Sequence, residues 1–264
     1  SYPEMVKASG AKPVFVYAKA ENDFAPTKQE LEAAITPNTK LIIINSPNNP
    51  TGAVYSKETL QMIADVAVKH NVMVLSDEIY EKLIYDDNTK HISIASLNEK
   101  IADLTITING FSKAYAMTGW RLGYLVAPLW LTKRISALQS HATSNATTFV
   151  QYAAVTALQG KADAEVENMV KTFASRRVLL CKLLKEIPQI SFIEPKGAFY
   201  VMCNISKTGK TAADFAQELL DKKLLTVIPC EAFGAPEYIR LSYACSEDQI
   251  KESLKRLKEF CAEG

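Results

Sequence analysis

Short apolar runs alternate with amphipathic segments along the first half of the chain. Three runs rich in β-branched residues are typical of strands buried on both faces. They occupy residues 41–44, 72–76 and 104–109. Residues 56–70 have helical spacing and separate the first two runs, and Ser56 stands at the expected N-cap. This strand–helix–strand alternation predicts parallel pairing.

Further apolar segments extend the pattern in both directions. A strand predicted at residues 121–127 follows a short connection, so we expect it to return antiparallel. An early strand is predicted at residues 13–17. Helices are predicted at residues 27–35, 129–139, 146–158 and 162–186. Thr27 and Glu30 have the spacing of a capping box at the first of these helices.

The last third of the chain alternates short strands with two helices. The predicted strands occupy residues 192–193, 198–203, 226–228 and 238–243, and the helices residues 211–220 and 247–261. We therefore predict a large domain at residues 1–175 and a smaller C-terminal α+β domain at residues 176–264. The predicted fold class is α/β, with a mostly parallel sheet covered by helices on both faces.

Composition narrows the classes of function. Lys and Arg number 30 against 29 Asp and Glu, so no basic excess favours nucleic acid or an anionic membrane as partner. No apolar run approaches the roughly 20 residues of a membrane helix, and no signal peptide is visible. The five cysteines are scattered without ligand spacing, which indicates buried thiols in a reducing cytoplasm and no metal site.

Polar clusters directly follow the three buried runs. They occupy residues 45–52, 77–80 and 110–113. Open α/β sheets bind ligands beyond the carboxyl ends of their strands, so we expect these loops to form one site. The third cluster contains Lys113, whose amine can form a Schiff base with a carbonyl cofactor. Arg121 follows this cluster, and its planar guanidinium group suits a phosphate. The alternative interpretation is that Lys113 is an ordinary surface lysine and that Arg121 forms a salt bridge.

The run Gly-Phe-Ser-Lys, two residues, Ala-Met-Thr-Gly-Trp-Arg-Leu-Gly at residues 110–123 resembles the pyridoxal-phosphate (PLP) attachment signature of class I/II aminotransferases. These are fold-type-I enzymes, and the resemblance is to their aspartate aminotransferase-like branch. It implies that Lys113 carries PLP as a Schiff base and shuttles a proton at the substrate Cα. It implies also that Arg121 binds the phosphate. Many members have serine where this chain has Gly110.

The resemblance extends to the other two polar clusters. Asp77, in Asp-Glu-x-Tyr, would keep the ring nitrogen of PLP protonated, whereas an isolated Asp in this place would cap a helix. Tyr80 and Asn49 would donate hydrogen bonds to the phenolic oxygen of the cofactor, and Asn49 would also contact substrate. Without the resemblance, the sequence is equally consistent with Tyr80 as a half-buried aromatic residue and with Asn49 as a turn residue. Glu78 we interpret as structural.

One candidate lies in the C-terminal domain. Arg240 resembles the arginine with which this family binds the α-carboxylate of an amino acid as a bidentate pair. The competing interpretation is a solvent-facing arginine on an edge strand.

Together these residues predict a PLP-dependent aminotransferase that uses an aspartate-like L-amino acid and a 2-oxo acid. A homodimer is expected for the full-length protein. A carbon–sulfur lyase on the same scaffold is disfavoured, because such relatives tend to have His in place of Tyr80. A non-catalytic PLP-sensing regulatory domain and a truncated relic remain as alternatives. Family members carry an N-terminal portion that precedes Ser1, so we expect a fragment that binds PLP weakly by itself.

Overall fold

Two four-stranded sheets organise the chain, one in each of two compact units. The computed structural model describes residues 1–85 and 89–263. The first unit comprises Ser1–Ser46, Tyr55–Glu81 and His91–Asp163, and the second comprises Pro47–Val54, Lys82–Lys90 and Ala164–Gly264. Because these units interleave along the chain, they do not test a boundary after residue 175, which stays a prediction.

The first unit contains six complete α-helices and four strands among its described residues. The helices are α1 (Tyr2–Ala8), α2 (Lys28–Ala34), α3 (Lys57–His70), α4 (Glu99–Ala102), α5 (Leu129–Thr143) and α6 (Thr148–Thr156). The strands are β1 (Leu41–Asn45), β2 (Met73–Asp77), β3 (Thr105–Gly110) and β4 (Gly123–Val126).

The strand order in this sheet is β1-β2-β3-β4, and the pairing agrees with the sequence prediction. The first three strands are parallel to one another, and β4 returns antiparallel to β3. Asn45 pairs with Asp77 across the first pair, and Asp77 pairs with Ile108 across the second. The carboxyl ends of β1, β2 and β3 therefore lie at one edge of the sheet.

Helix α3 joins β1 to β2 and supplies much of the core of this unit. The side chains of Leu60, Ile63 and Ala67 on one face are at most 2% exposed, and they cluster with Ile44 and Val74 of the strands. The Ser56 hydroxyl accepts a hydrogen bond from the N–H of Thr59 at 3.2 Å, so it caps the helix as predicted. The Thr27–Glu30 capping box of α2 is also present.

The early strand predicted at residues 13–17 is wrong. Val14, Phe15 and Tyr17 are each more than half exposed and lie in no strand. Their β propensity does not produce a strand, because a strand needs a partner strand to hydrogen-bond with. This segment pairs with none of the described strands. Helix α1 was not predicted from the sequence.

The second unit is built on an antiparallel sheet. Its helices are α7 (Asp163–Leu184, whose first residue belongs to the first unit), α8 (Ala212–Lys223) and α9 (Glu247–Glu263). Its strands are β5 (Ser191–Phe192), β6 (Tyr200–Asn204), β7 (Ile228–Pro229) and β8 (Tyr238–Ser242), in the order β5-β6-β8-β7. The strand predicted at residues 226–228 begins two residues later, because the left-handed cap of α8 at Leu224 is followed by irregular backbone.

Aromatic residues and thiols fill the core of the second unit. Phe215 of α8 and Phe260 of α9 meet edge to face, with ring centroids 5.0 Å apart. All five cysteines are free, and all but the half-buried Cys245 are buried. Burial raises the pKa of Cys181 to about 11, so its thiol is not reactive at neutral pH. No described helix has the combination of length and apolar character needed to cross a membrane.

Candidate active site

The turn after β2 presents the carboxylate of Asp77, and the structure holds this group from two directions. The backbone N–H of Ile79 donates to Oδ1 at 3.1 Å, and the hydroxyl of Tyr2 donates to Oδ2 at 2.6 Å. The Asp77 carbonyl in turn accepts a hydrogen bond from Asn45 Nδ2 at 2.9 Å. Since an ionised carboxylate has about four acceptor sites, two remain for a ligand.

The neighbouring Glu78 has a different environment. Glu78 is only 3% exposed. Its carboxylate accepts hydrogen bonds from the hydroxyl groups of Ser76 and Ser93, and one of its oxygens lies 2.8 Å from His91 Nε2. Glu81 also lies close to Glu78 and His91, in a spacing that could hold a metal ion. Because protein donors already engage both Glu78 oxygens, the geometry supports the structural role that the sequence suggested. His91 is its partner.

Tyr80 is buried at 4% exposure in the same turn, close to Asp77 in the chain. Its burial excludes the alternative of a half-exposed aromatic on solvent. A tyrosine with an apolar ring held in the protein can present its hydroxyl in a fixed direction, which is the property the predicted role requires.

Lys113 lies in a tight turn after β3 that is fixed on both sides. Phe111 and Ala114 are at most 2% exposed, and the N–H groups of Tyr115 and Met117 both donate to the carbonyl of Phe111. The Lys113 side chain itself is only partly exposed. The buried flanking residues therefore set the direction of the lysine, as a covalent anchor requires.

Gly110 is the last residue of β3 and faces Gly123 of β4 in the antiparallel pair. A Cβ at Gly110 would lie 3.0 Å from the Cα of Gly123 and 3.0 Å from the carbonyl oxygen of Leu122. Backbone atoms give way less easily than side-chain ends. A side chain at residue 110 would therefore crowd the backbone of β4.

Arg121 lies two residues before β4 and adopts a left-handed backbone conformation with φ of 53°. Such a conformation costs a non-glycine residue about 1 kcal/mol or more and is frequent at functional sites. Its side chain is exposed, and Nη1 donates to the carbonyl of Thr118 at 3.0 Å. The remaining guanidinium N–H groups can reach a ligand, which supports its predicted role.

Asn49 and Arg240 both lie in the second unit and are hydrogen-bonded to each other. Arg240 Nη1 donates to Asn49 Oδ1 at 2.8 Å. The loop that carries Asn49 is fixed at Gly52, whose φ is +71° and whose carbonyl accepts N–H groups of Lys196 and Gly197. A Cβ at Gly52 would lie 2.3 Å from Pro195 Cβ, so only glycine fits.

Arg240 does not lie on an edge strand, contrary to the alternative interpretation. It pairs with Met202 on one side and Ile228 on the other, since β8 lies between β6 and β7. Its guanidinium lies 4.5 Å from the ring centroid of Tyr200 and 5.6 Å from that of Phe233. Its Nε is buried and meets no acceptor among residues 1–85 and 89–263. A buried donor of this kind suits an incoming carboxylate.

Comparison with known proteins identifies the family. The family model described as "Aminotransferase class I and II" matches residues 1–257. The chain belongs to the class I and II aminotransferase family. It is 45% identical to the aspartate aminotransferase of Bacillus sp. (strain YM-2), over 98% of this chain and 67% of that protein.

Solved structures of aminotransferases share the fold. The crystal structure of an aromatic aminotransferase from Pyrococcus horikoshii OT3 superimposes with a TM-score of 0.96 at 42% identity, over 99% of this chain and 70% of that one. The structure titled aspartate aminotransferase from Thermus thermophilus with maleate gives a TM-score of 0.94 at 38% identity, over 98% and 67%. The fold type and the PLP-dependent aminotransferase class expected from the sequence are thereby confirmed.

The residues of the first unit fit PLP, the cofactor of class I/II aminotransferases. An amine at Lys113, a carboxylate with spare acceptor sites at Asp77 and a guanidinium at Arg121 match its aldehyde, its ring nitrogen and its phosphate. Asp77 is the last residue of β2, and Lys113 follows β3, the adjacent parallel strand, by three residues. The donor set is thus complementary to the cofactor in chemistry.

The contact between β3 and β4 yields a stability prediction. Gly110→Ala should lower the free energy of unfolding by about 1–3 kcal/mol, because the new methyl group overpacks against backbone of β4. Chemical denaturation measures the change. Gly119→Ala is the matched control, since a Cβ there meets nothing within 4 Å, and it should change stability by less than about 0.5 kcal/mol. Equal effects of the two substitutions would contradict this account of Gly110.

Proposed function

We propose that this aminotransferase moves an amino group between an aspartate-like L-amino acid and a 2-oxo acid, with Lys113 as its covalent anchor. The main support is the position of Asp77 at the carboxyl end of β2 and of Lys113 just after the adjacent parallel strand β3. The Bacillus relative named aspartate aminotransferase supports the substrate class. Because the relatives above are named for amino transfer, they favour it over the carbon–sulfur lyase and over a domain without turnover.

When bound, PLP supplies an aldehyde that reacts with amines and a ring that accepts electrons from the substrate Cα. The protein has to hold that ring and move protons. Asp77 presents a fixed carboxylate to the ring nitrogen, and Arg121 presents its fork to the phosphate. Tyr80 and Asn49 donate to the phenolic oxygen. The amine of Lys113 would hold the aldehyde of the cofactor and would move the proton at the substrate Cα.

Arg240 binds the α-carboxylate of the substrate in this proposal. Asn49 accepts from one of its donors, and the rings of Tyr200 and Phe233 lie near the guanidinium. These contacts hold the fork in one orientation before substrate arrives, which reduces the entropy lost on binding. The buried Nε is a further donor in the same plane.

We also propose a homodimeric, cytoplasmic full-length enzyme. The apolar side chains Leu129, Trp130 and Leu138 of α5 are each more than 60% exposed, and α5 has no buried residue. Phe149 and Tyr152 of α6 are similarly exposed. Clustered exposed apolar side chains mark interaction surfaces, which supports a partner subunit against these helices.

Substitution of Lys113 tests the proposed anchor. In the full-length enzyme, Lys113→Ala should lower transfer from aspartate to a 2-oxo acid by at least about 10²–10⁴-fold, because it removes the group that moves the proton. Stopped-flow absorbance of the aspartate half-reaction measures this loss. Lys100→Ala, at an exposed lysine of α4, is the control and should transfer at the parent rate. Unchanged transfer by Lys113→Ala would refute the assignment.

Substitution of Arg240 tests the proposed carboxylate site. Arg240→Lys keeps the charge but loses the planar fork, so KM for every amino acid should rise about 10- to 100-fold, the value of a hydrogen bond to a charged group. Steady-state kinetics with aspartate and an aromatic amino acid provide the measurement. Arg256→Lys, at an exposed arginine paired with Glu252, serves as control. A rise confined to aspartate would assign Arg240 to the side-chain carboxylate instead.

A further inference from the structure

Tyr2 makes a long-range contact that the roles above leave unused. It is the first residue of α1, and its hydroxyl donates to Asp77 Oδ2 at 2.6 Å across a sequence separation of 75 residues. This distance lies in the range of O–H···O⁻ bonds to an ionised acceptor, which are shorter and stronger than neutral ones. The contact therefore joins α1 to the carboxylate at the end of β2.

The direction of the proton in this contact is fixed. Burial raises the pKa of Tyr2 well above its usual value of 10, and the negative charge of Asp77 raises it further. The phenol thus keeps its proton throughout the neutral range and acts only as a donor. Asp77 is therefore the acceptor in this hydrogen bond.

The two bonds to Asp77 together restrict its rotation. Ile79 N–H binds Oδ1 and Tyr2 binds Oδ2, so a turn of the carboxylate about its last torsion would break both. That torsion is otherwise broad in aspartate. A carboxylate left with only the Ile79 contact would be free to rotate away.

We propose that Tyr2 is a positioning residue for the cofactor site, which holds the Asp77 carboxylate in one orientation toward the ring nitrogen of PLP. This inference rests on the proposed role of Asp77. Tyr2 does not itself touch the cofactor in this scheme. A purely structural alternative is that the phenol only attaches α1 to the sheet.

A double-mutant cycle in the full-length enzyme separates these two roles. Its members are Tyr2→Phe, Asp77→Ala and the double variant, with Tyr17→Phe as control at a tyrosine that is 59% exposed. The first readout is the dissociation constant of PLP from cofactor-free protein, measured by absorbance titration. The second is the pH midpoint of the absorption change of the bound cofactor, and the third is the melting temperature.

Tyr2→Phe should weaken PLP binding by roughly 2- to 10-fold, because binding must then immobilise the Asp77 carboxylate, which Tyr2 otherwise holds before the cofactor arrives. The pH midpoint should rise, because a ring nitrogen that is protonated less often puts less positive charge on the conjugated system of the bound cofactor. The shift should have the same direction as that of Asp77→Ala and be smaller. In the Asp77→Ala background, Tyr2→Phe should change neither value. Tyr17→Phe should resemble the parent enzyme.

Four results would overturn the inference. If Tyr2→Phe weakens PLP binding equally in both backgrounds, or lowers only the melting temperature, the phenol has a structural role. If Asp77→Ala is impaired but Tyr2→Phe matches the parent in all three readouts, the inference fails while the proposed function stands. If Asp77→Ala itself binds PLP with unchanged affinity, pH midpoint and turnover, the role of Asp77 and the inference fail together.

Discussion

The parallel register of β2 against β3 is the constraint on which the rest of the candidate site depends. Asp77 pairs with Ile108, so the turns that follow the two strands begin at the same edge of the sheet. A slip by one residue would turn each side chain to the opposite face of the sheet. The buried face of α3 against β1 and β2 makes such a slip costly, because it would expose Val74 and its neighbours. The helix packing thus determines where the carboxylate lies.

Fixed backbone and buried flanking residues recur at each candidate functional group. Phe111 and Ala114 hold the turn of Lys113, and Gly110 allows the close approach of β3 and β4. In the second unit, the closed contact at Gly52 holds the loop of Asn49, and two neighbouring strands hold Arg240. The reactive side chains therefore depend on apolar and glycine residues that have no chemistry of their own. Such preorganisation is what electrostatic catalysis requires.

Local patterns predicted the elements with strong internal signals. The unbroken run at residues 41–44 and the Ser56 cap predicted β1 and α3, and the short connection after Gly110 predicted the antiparallel return of β4. The strand prediction at residues 13–17 was wrong, because strand formation depends on a partner strand that the sequence alone does not reveal. The bonds of Tyr2 to Asp77 and of His91 to Glu78 were missed for the same reason. The tyrosine is 75 residues from Asp77 and carries no local signal of this contact.

The central claim is that one amine of this chain holds the cofactor at the edge of the first sheet. Reduction of the PLP-loaded full-length enzyme with borohydride, followed by digestion and mass spectrometry, tests it most directly. The account predicts a single modified peptide that carries the reduced cofactor on Lys113. Modification of a different lysine, or recovery of all the cofactor unattached, would contradict it.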